Sequence, residues 1–247
     1  MSGLFELSGR VALVTGGSRG LGAQMVLAFA DAGADVVITS RKLDACEAFA
    51  EEVRARGRRA LAVAAHVADW DDHPRLVDAA YGEFGRVDVL VNNAGMSPLA
   101  PSSNETSEEL FDKVVGVNLK GPFRLTALVG PRMVAAGGGS IINVSSSGAL
   151  FPQPYYGPYA AAKAGLNALT RAFALEYGPT VRVNTLSAGP FLTDVAKAWP
   201  AEERETSRSA VGRPGRPEEI VGTALYLASD ASSYTSGALI RVDGGLY

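Results

Sequence analysis

Short β-branched runs alternate with longer amphipathic stretches along the chain, and that alternation leaves few folds open. Strand candidates are Val11–Thr15, Asp35–Thr39, Ala60–Ala65, Val87–Val91, Ser140–Val144, Val181–Leu186 and Leu239–Val242. Several are apolar at consecutive positions, as strands are when a parallel sheet is covered on both faces. Helical patterns fall between them, over residues 20–32, 43–57, 72–84, 107–136 with a break, 155–177 and 217–229. The expectation is an α/β protein: one doubly wound, seven-stranded parallel sheet flanked by helices, in a single domain over residues 1–247. Residues 190–211 hold no strand, contain Trp199 and Pro200, and read as a lid.

Composition narrows the function classes. Hydrophobic residues at 47% and charged residues at 20% suit a soluble domain with a substantial core. A net charge of −3 gives no broad attraction for nucleic acid or an anionic membrane. Arg54, Arg56, Arg58 and Arg59 read as a solvated helix C-terminus, where cations suit the dipole. Cys46 stands alone, so no internal disulfide forms. One Cys and two His do not make the usual zinc site, and no metal is expected. The first nine residues lack a signal peptide's basic and apolar parts, and no apolar run reaches membrane-span length. A cytoplasmic protein is the expectation.

Val11–Thr15 runs directly into Gly16-Gly17-Ser18-Arg19-Gly20-Leu21-Gly22 and then a helix. Glycine keeps Cβ atoms from between backbone and ligand, and a helix N-terminus offers free N–H groups to a pyrophosphate. The spacing is T-G-x-x-x-G-x-G, not the general G-x-G-x-x-G fingerprint. At the end of the second strand an acidic residue would read the ribose hydroxyl of NAD. Here Thr39 is followed by Ser40, Arg41 and Lys42, and Arg19 approaches the same point from the glycine loop. Guanidinium groups and a hydroxyl suit a 2′-phosphate, so NADP(H) is expected over NAD(H).

Tyr159 and Lys163, four apart, share a helix face. A free phenol with a pKa of about 10 is a poor base, and a nearby ammonium is expected to lower it. The phenol then serves as general acid and base. Taken alone the pair recurs by chance in many helices. Ser145, Ser146 and Ser147, however, follow an apolar strand, and Asn92-Asn93-Ala94-Gly95 follows another. Both sit where strands of a parallel sheet present ligands, and Asn118 opens a later helix in Val117-Asn118-Leu119-Lys120-Gly121.

With these motifs in order, the chain resembles the short-chain dehydrogenase/reductase family in its branch of about 250 residues. The resemblance extends to Val183-Asn184 and the ending Val242-Asp243-Gly244-Gly245, so it covers essentially the whole chain. It implies a Rossmann fold and a tetrad of Asn118, Ser146, Tyr159 and Lys163. Ser146 is chosen from the serine run because the family's serine usually lies thirteen residues before its tyrosine. The same resemblance implies cofactor contacts from Gly16, Ser18, Arg19, Gly20, Leu21 and Gly22, with Ser40 and Arg41. Val67, Asn92, Ala94 and Gly95 match the adenosine end. Gly189, Pro190, Leu192 and Thr193 match the segment that holds the nicotinamide carboxamide. Tyr159 and Lys163 also face the cofactor, and Ser146, Tyr156 and Tyr159 the substrate. Relatives imply a homotetramer, with Tyr234–Ile240 and the helix after Tyr155 at interfaces.

Two positions depart from the family. His66 stands where relatives commonly have an aspartate near the adenine amine, and proline follows Gly189 where relatives often have it before. The substrate pocket is expected from Ala149, Leu150, Phe151 and Gln153, from Tyr155 and Tyr156, and from residues 190–211 with Phe191 and Trp199. These are mostly apolar. The overall look is similar to 3-oxoacyl-thioester reductases and to gluconate 5-dehydrogenase-like enzymes, and the NADP(H) reading favours ketone reduction. A non-catalytic NADPH sensor would tend to lose the tyrosine or lysine, and the extended epimerases carry a further substrate domain.

Overall fold

In β1 (Val11–Thr15) every residue is buried, because successive side chains point to opposite faces and helices cover both. Val11 and Leu13 join one core cluster, and Ala12 and Val14 join the other. The computed structural model describes residues 3–246; Met1 and Tyr247, the ends of the expected unit, lie outside them. The remaining strands are β2 (Asp35–Ser40), β3 (Ala60–Ala64), β4 (Val89–Asn92), β5 (Gly139–Ser146), β6 (Val181–Ala188) and β7 (Leu239–Val242). All pair in parallel, in the order β3-β2-β1-β4-β5-β6-β7. This is the expected Rossmann-like α/β fold.

One face is covered by α1 (Gly20–Asp31), α2 (Leu43–Arg54) and α8 (Val221–Ala228). Met25, Phe29, Val53 and Leu227 pack there, each with 0% exposure. The other face is covered by α3 (Asp72–Phe84), α5 (Gly121–Ala135) and α6 (Gly157–Tyr177), through Leu76, Val129, Met133 and Phe173. Edge strand β7 is the exception to double coverage, since Leu239 is 37% exposed. No helix among the described residues is long and apolar enough to cross a membrane.

Two helical boundaries differ from the sequence reading. The expected break within 107–136 is no break: α4 (Glu108–Val115) runs through a π-helical turn, Gly116–Lys120, straight into α5. Gly121 permits this turn to lie against the loop after β3, because a Cβ there would fall 2.1 Å from the Val67 carbonyl oxygen. The helix expected from 155 begins at Gly157. Tyr155 takes a left-handed φ of 74°, and proline follows in the first turn, where its fixed φ suits a helix start. Residues 190–211 fold as a 3-10 turn, Asp194–Ala198, and one short helix, α7 (Ala201–Glu205).

Candidate active site

The order of the sheet reverses between β1 and β4, and ligands of such sheets bind beyond the carboxyl ends of the strands at that switch. There the glycine loop is stitched to its neighbours. Gly16 and Gly17 donate to the Thr39 carbonyl at 2.8 and 3.3 Å, which fixes the loop beside the end of β2 and hence beside Ser40 and Arg41. Asn93 donates its amide to the carbonyls of Thr15 and Gly16. Gly22 packs so tightly that a Cβ would lie 2.2 Å from the Gly16 oxygen.

The start of α1 fits an anion. Its N-cap, Arg19, makes no side-chain cap hydrogen bond, so the first-turn N–H groups have no capping side chain. Those donors and the dipole end suit a pyrophosphate. Arg19 is exposed and pairs with Asp194 at 3.4 Å. Ser40 Oγ sits 3.0 Å from buried Cys46 Sγ, and Arg41 is exposed. The dinucleotide class therefore fits the residues present. Asn92 does not reach the groove with its side chain, which is buried and bonded to Thr126 and Asn143. Any contact it makes would be through backbone. Val67, Asn92 and Ala94 lie about one shallow crevice with Val117 and His73.

The tetrad candidates converge. Lys163 is 3% exposed and its ammonium donates to the Val144 carbonyl at 2.7 Å. Asn118 is fully buried within the π-helical turn. Its amide donates to the carbonyls of Met96 and Val114 at 2.8 and 2.9 Å, and its oxygen accepts from Met96 N. A Cβ on Gly95 would lie 3.0 Å from Asn118 Oδ1 and 3.6 Å from Lys163 Nζ, so these three residues meet at one point. Lys163 Nζ is 6.0 Å from the centre of the Tyr159 ring. Ser146, at the end of β5, accepts from Gly148 N at 3.0 Å. Tyr156 stands edge-on to Tyr159 with ring centres 5.9 Å apart. Ser145, by contrast, bonds the Lys163 carbonyl and is structural.

The electrostatics differ from the sequence reading. Burial pushes the Tyr159 phenol above its usual value, and hydrogen bonding from Ser146 works against that rise. Burial also pushes the Lys163 ammonium down, to about 8. Desolvation, not the ammonium, thus dominates the phenol in the free protein. The phenol is protonated at neutral pH and is poised to donate.

Sequence reasoning missed the carbonyls of Val144 and Met96, because main-chain acceptors leave no mark in a sequence. It missed Asp194 as Arg19's partner, although its place directly after Thr193 was a usable signal. Phe191 is a correction: expected to line the substrate pocket, it is 6% exposed, its ring lies against Gly215, and what it borders is a cleft with Val211, Arg213 and Asp243. The four arginines at 54–59 form ion pairs, including Arg58 with Asp35 at 2.7 Å and Arg59 with Glu83 at 2.5 Å.

A family model described as enoyl-(acyl carrier protein) reductase matches residues 16–247. A short-chain type dehydrogenase/reductase of Mycobacterium marinum superposes with a TM-score of 0.93 and is 35% identical, over 98% of this chain and 96% of that one. The chain belongs to the short-chain dehydrogenase/reductase family. It is 38% identical over 244 residues to a 3-oxoacyl-[acyl-carrier-protein] reductase of Thermotoga maritima, covering 98% of this chain and 99% of the relative. A gluconate 5-dehydrogenase of Burkholderia cenocepacia, solved with NADP and tartrate, superposes with a TM-score of 0.94. It is 33% identical, over 98% of this chain and 97% of that one.

The two departures from the short-chain dehydrogenase/reductase pattern have local explanations. His66 Nδ1 accepts from Ala68 N at 3.2 Å, and the His66 backbone N–H donates to Asp72 Oδ2 at 3.0 Å. The Nδ1 acceptor is thus used within the chain. After Gly189, the Pro190 carbonyl accepts from Gly215 N, and Leu192 N donates to Gly215 O. The displaced proline is therefore part of a pinned segment, and the loop from 189 to 193 is held by Gly215.

Proposed function

We propose that the chain is an NADP(H)-dependent oxidoreductase that moves a hydride between the nicotinamide and a ketone or secondary alcohol, with ketone reduction favoured. The observation that carries this is the buried Tyr159 phenol beside Ser146, with its ring centre 6.0 Å from the buried Lys163 ammonium. Ser146 polarises the carbonyl oxygen, and Tyr159 gives that oxygen its proton. Lys163, held by the Val144 carbonyl, keeps a positive charge beside the phenol and orients the site. The bound nicotinamide would supply the hydride. Gly16, Ser18, Gly20, Leu21 and Gly22 would hold its pyrophosphate, Arg19, Ser40 and Arg41 the 2′-phosphate, and Val67, Asn92, Ala94 and Gly95 the adenosine end. Gly189, Pro190, Leu192 and Thr193 would hold the carboxamide, with residues 190–211 as the lid of a single domain.

The relatives support two substrate classes, 3-oxoacyl thioesters and sugar acids. Half-buried Tyr156 and exposed Leu150 and Tyr155 give the mouth apolar surface and favour the first. Exposed Leu175 on α6, with Tyr234 and Leu239 near the edge strand, supports a homotetramer. We read the protein as cytoplasmic, with Cys46 a buried free thiol. The test is NADPH and NADH oxidation against acetoacetyl thioesters, keto sugar acids, diketones and cyclic ketones. Turnover of a thioester with NADPH preferred is the expected result. No turnover across the panel despite tight NADPH binding would mean a sensor instead.

A further inference from the structure

Arg19 is the residue of the glycine loop that faces solvent with its charge, and its partner comes from the far wall of the groove. Arg19 Nη1 lies 3.4 Å from Asp194 Oδ2. The contact is no stray reach between long side chains. A Cβ at Gly20, the next residue, would lie 3.6 Å from Thr193 Cγ2, the side chain preceding Asp194. The two backbones therefore adjoin, and the root of the 190–211 segment closes on the start of α1. Asp194 has a second partner: its Oδ1 is 2.6 Å from Lys197 Nζ.

From this arrangement we infer that Asp194 is a positioning residue that tunes phosphate recognition through Arg19. The inference rests on the NADP(H) reading given above. A carboxylate and a phosphate compete for one guanidinium, and only a 2′-phosphorylated cofactor brings the competitor. The exchange is easy because the Arg19 contact is long and exposed, and because Asp194 keeps Lys197 when Arg19 leaves. A cofactor without the phosphate leaves the pair in place. Asp194 thus lowers affinity for the phosphorylated form selectively, and links occupation of the phosphate site to release of the 194–198 turn.

The test measures binding by calorimetry to the whole, cofactor-free protein, with 2′,5′-ADP and 5′-AMP as probes. Asp194→Asn should tighten 2′,5′-ADP by about threefold, the size expected of an exposed ion pair, and leave 5′-AMP unchanged. The gain should shrink as salt rises from about 0.05 to 0.5 M. Asp194→Glu, which keeps the charge, should stay near the parent protein. In an Arg19→Ala background, Asp194→Asn should do nothing to the ratio. Equal changes for both probes, or a gain that survives without Arg19, would overturn the inference while leaving the NADP(H) reading intact. If the parent protein binds 2′,5′-ADP no better than 5′-AMP, the NADP(H) reading fails and this inference falls with it.

Discussion

Lys163 directs its ammonium at the Val144 carbonyl, 2.7 Å away, from a site that is 3% exposed. One carbonyl dipole does not replace the hydration of a full charge, so burial depresses the group from 10.5 to about 8. At about 1.4 kcal/mol per pKa unit, holding the charged form there costs on the order of 3 kcal/mol.

That cost has a defined pH window. Below about 8 the lysine is charged in both folded and unfolded chains, and the penalty is complete. From about 8 to 10.5 the unfolded chain holds a proton that the folded one has lost, so stability rises with pH. Lys163→Met carries no such dependence. The stability difference between parent and variant should move toward the parent by roughly 2–3 kcal/mol from pH 7 to pH 10. Urea unfolding at the two values reads this directly, and a pH-independent difference would show that the ammonium is solvated.

Tyr159→Phe removes the proton donor and little else. We expect kcat to fall by about 10²–10⁴. NADPH affinity, followed by fluorescence, should stay within about threefold, since the phenyl ring remains. Near-normal turnover would remove Tyr159 from acid–base chemistry.

Asn118 works through three hydrogen bonds, and two of its partners are carbonyls. Asn118→Ala removes the amide donor from the Met96 and Val114 oxygens in a fully buried place and should destabilise the fold by about 2–4 kcal/mol. Asn118→Asp keeps the shape but places a carboxylate against those carbonyls, and should be at least as damaging. Thermal melting of both variants checks the order.

His73 is 2% exposed, and the Trp70 backbone only partly offsets the loss of hydration around its ring. Burial lowers its pKa below 6.5. As pH falls through that value the unfolded chain takes up the proton first, so the folded state loses stability. His73→Leu should flatten stability between about pH 7.5 and pH 5 relative to the parent. Denaturant midpoints at both values are the measurement; parallel losses in the two proteins would assign acid sensitivity elsewhere.

How far the sequence carried can be seen residue by residue. The strand cores were legible because Val, Ile and Leu at successive positions answer only to burial on two faces, as in β1. The glycine loop and Tyr159 with Lys163 were legible because their chemistry needs particular residue types at particular spacings. Phe191 misled because an aromatic side chain in a long connection looks the same whether it lines a mouth or plugs a core. The orientation of the Asn92 side chain was hidden in the same way, since its amide turns inward to Thr126 and Asn143. The direction of the Tyr159 shift was hidden because it depends on how deeply α6 and β5 bury the ring.

The π-helical turn at Gly116–Lys120 has a consequence for insertions and deletions. An α-helix advances about 100° per residue, so one additional residue in a turn re-aims everything beyond it by that angle. With the wide turn, α4 packs on α6 while α5, on the same rod, packs on both α3 and α6. Deleting Val117 would restore an even helical ladder, a change that favours the isolated helix. It would also rotate Asn118 away from Met96 and carry Gly121 off Val67. The irregularity acts as a phase setting between two stretches of one rod, and at this point length is more constrained than side-chain identity.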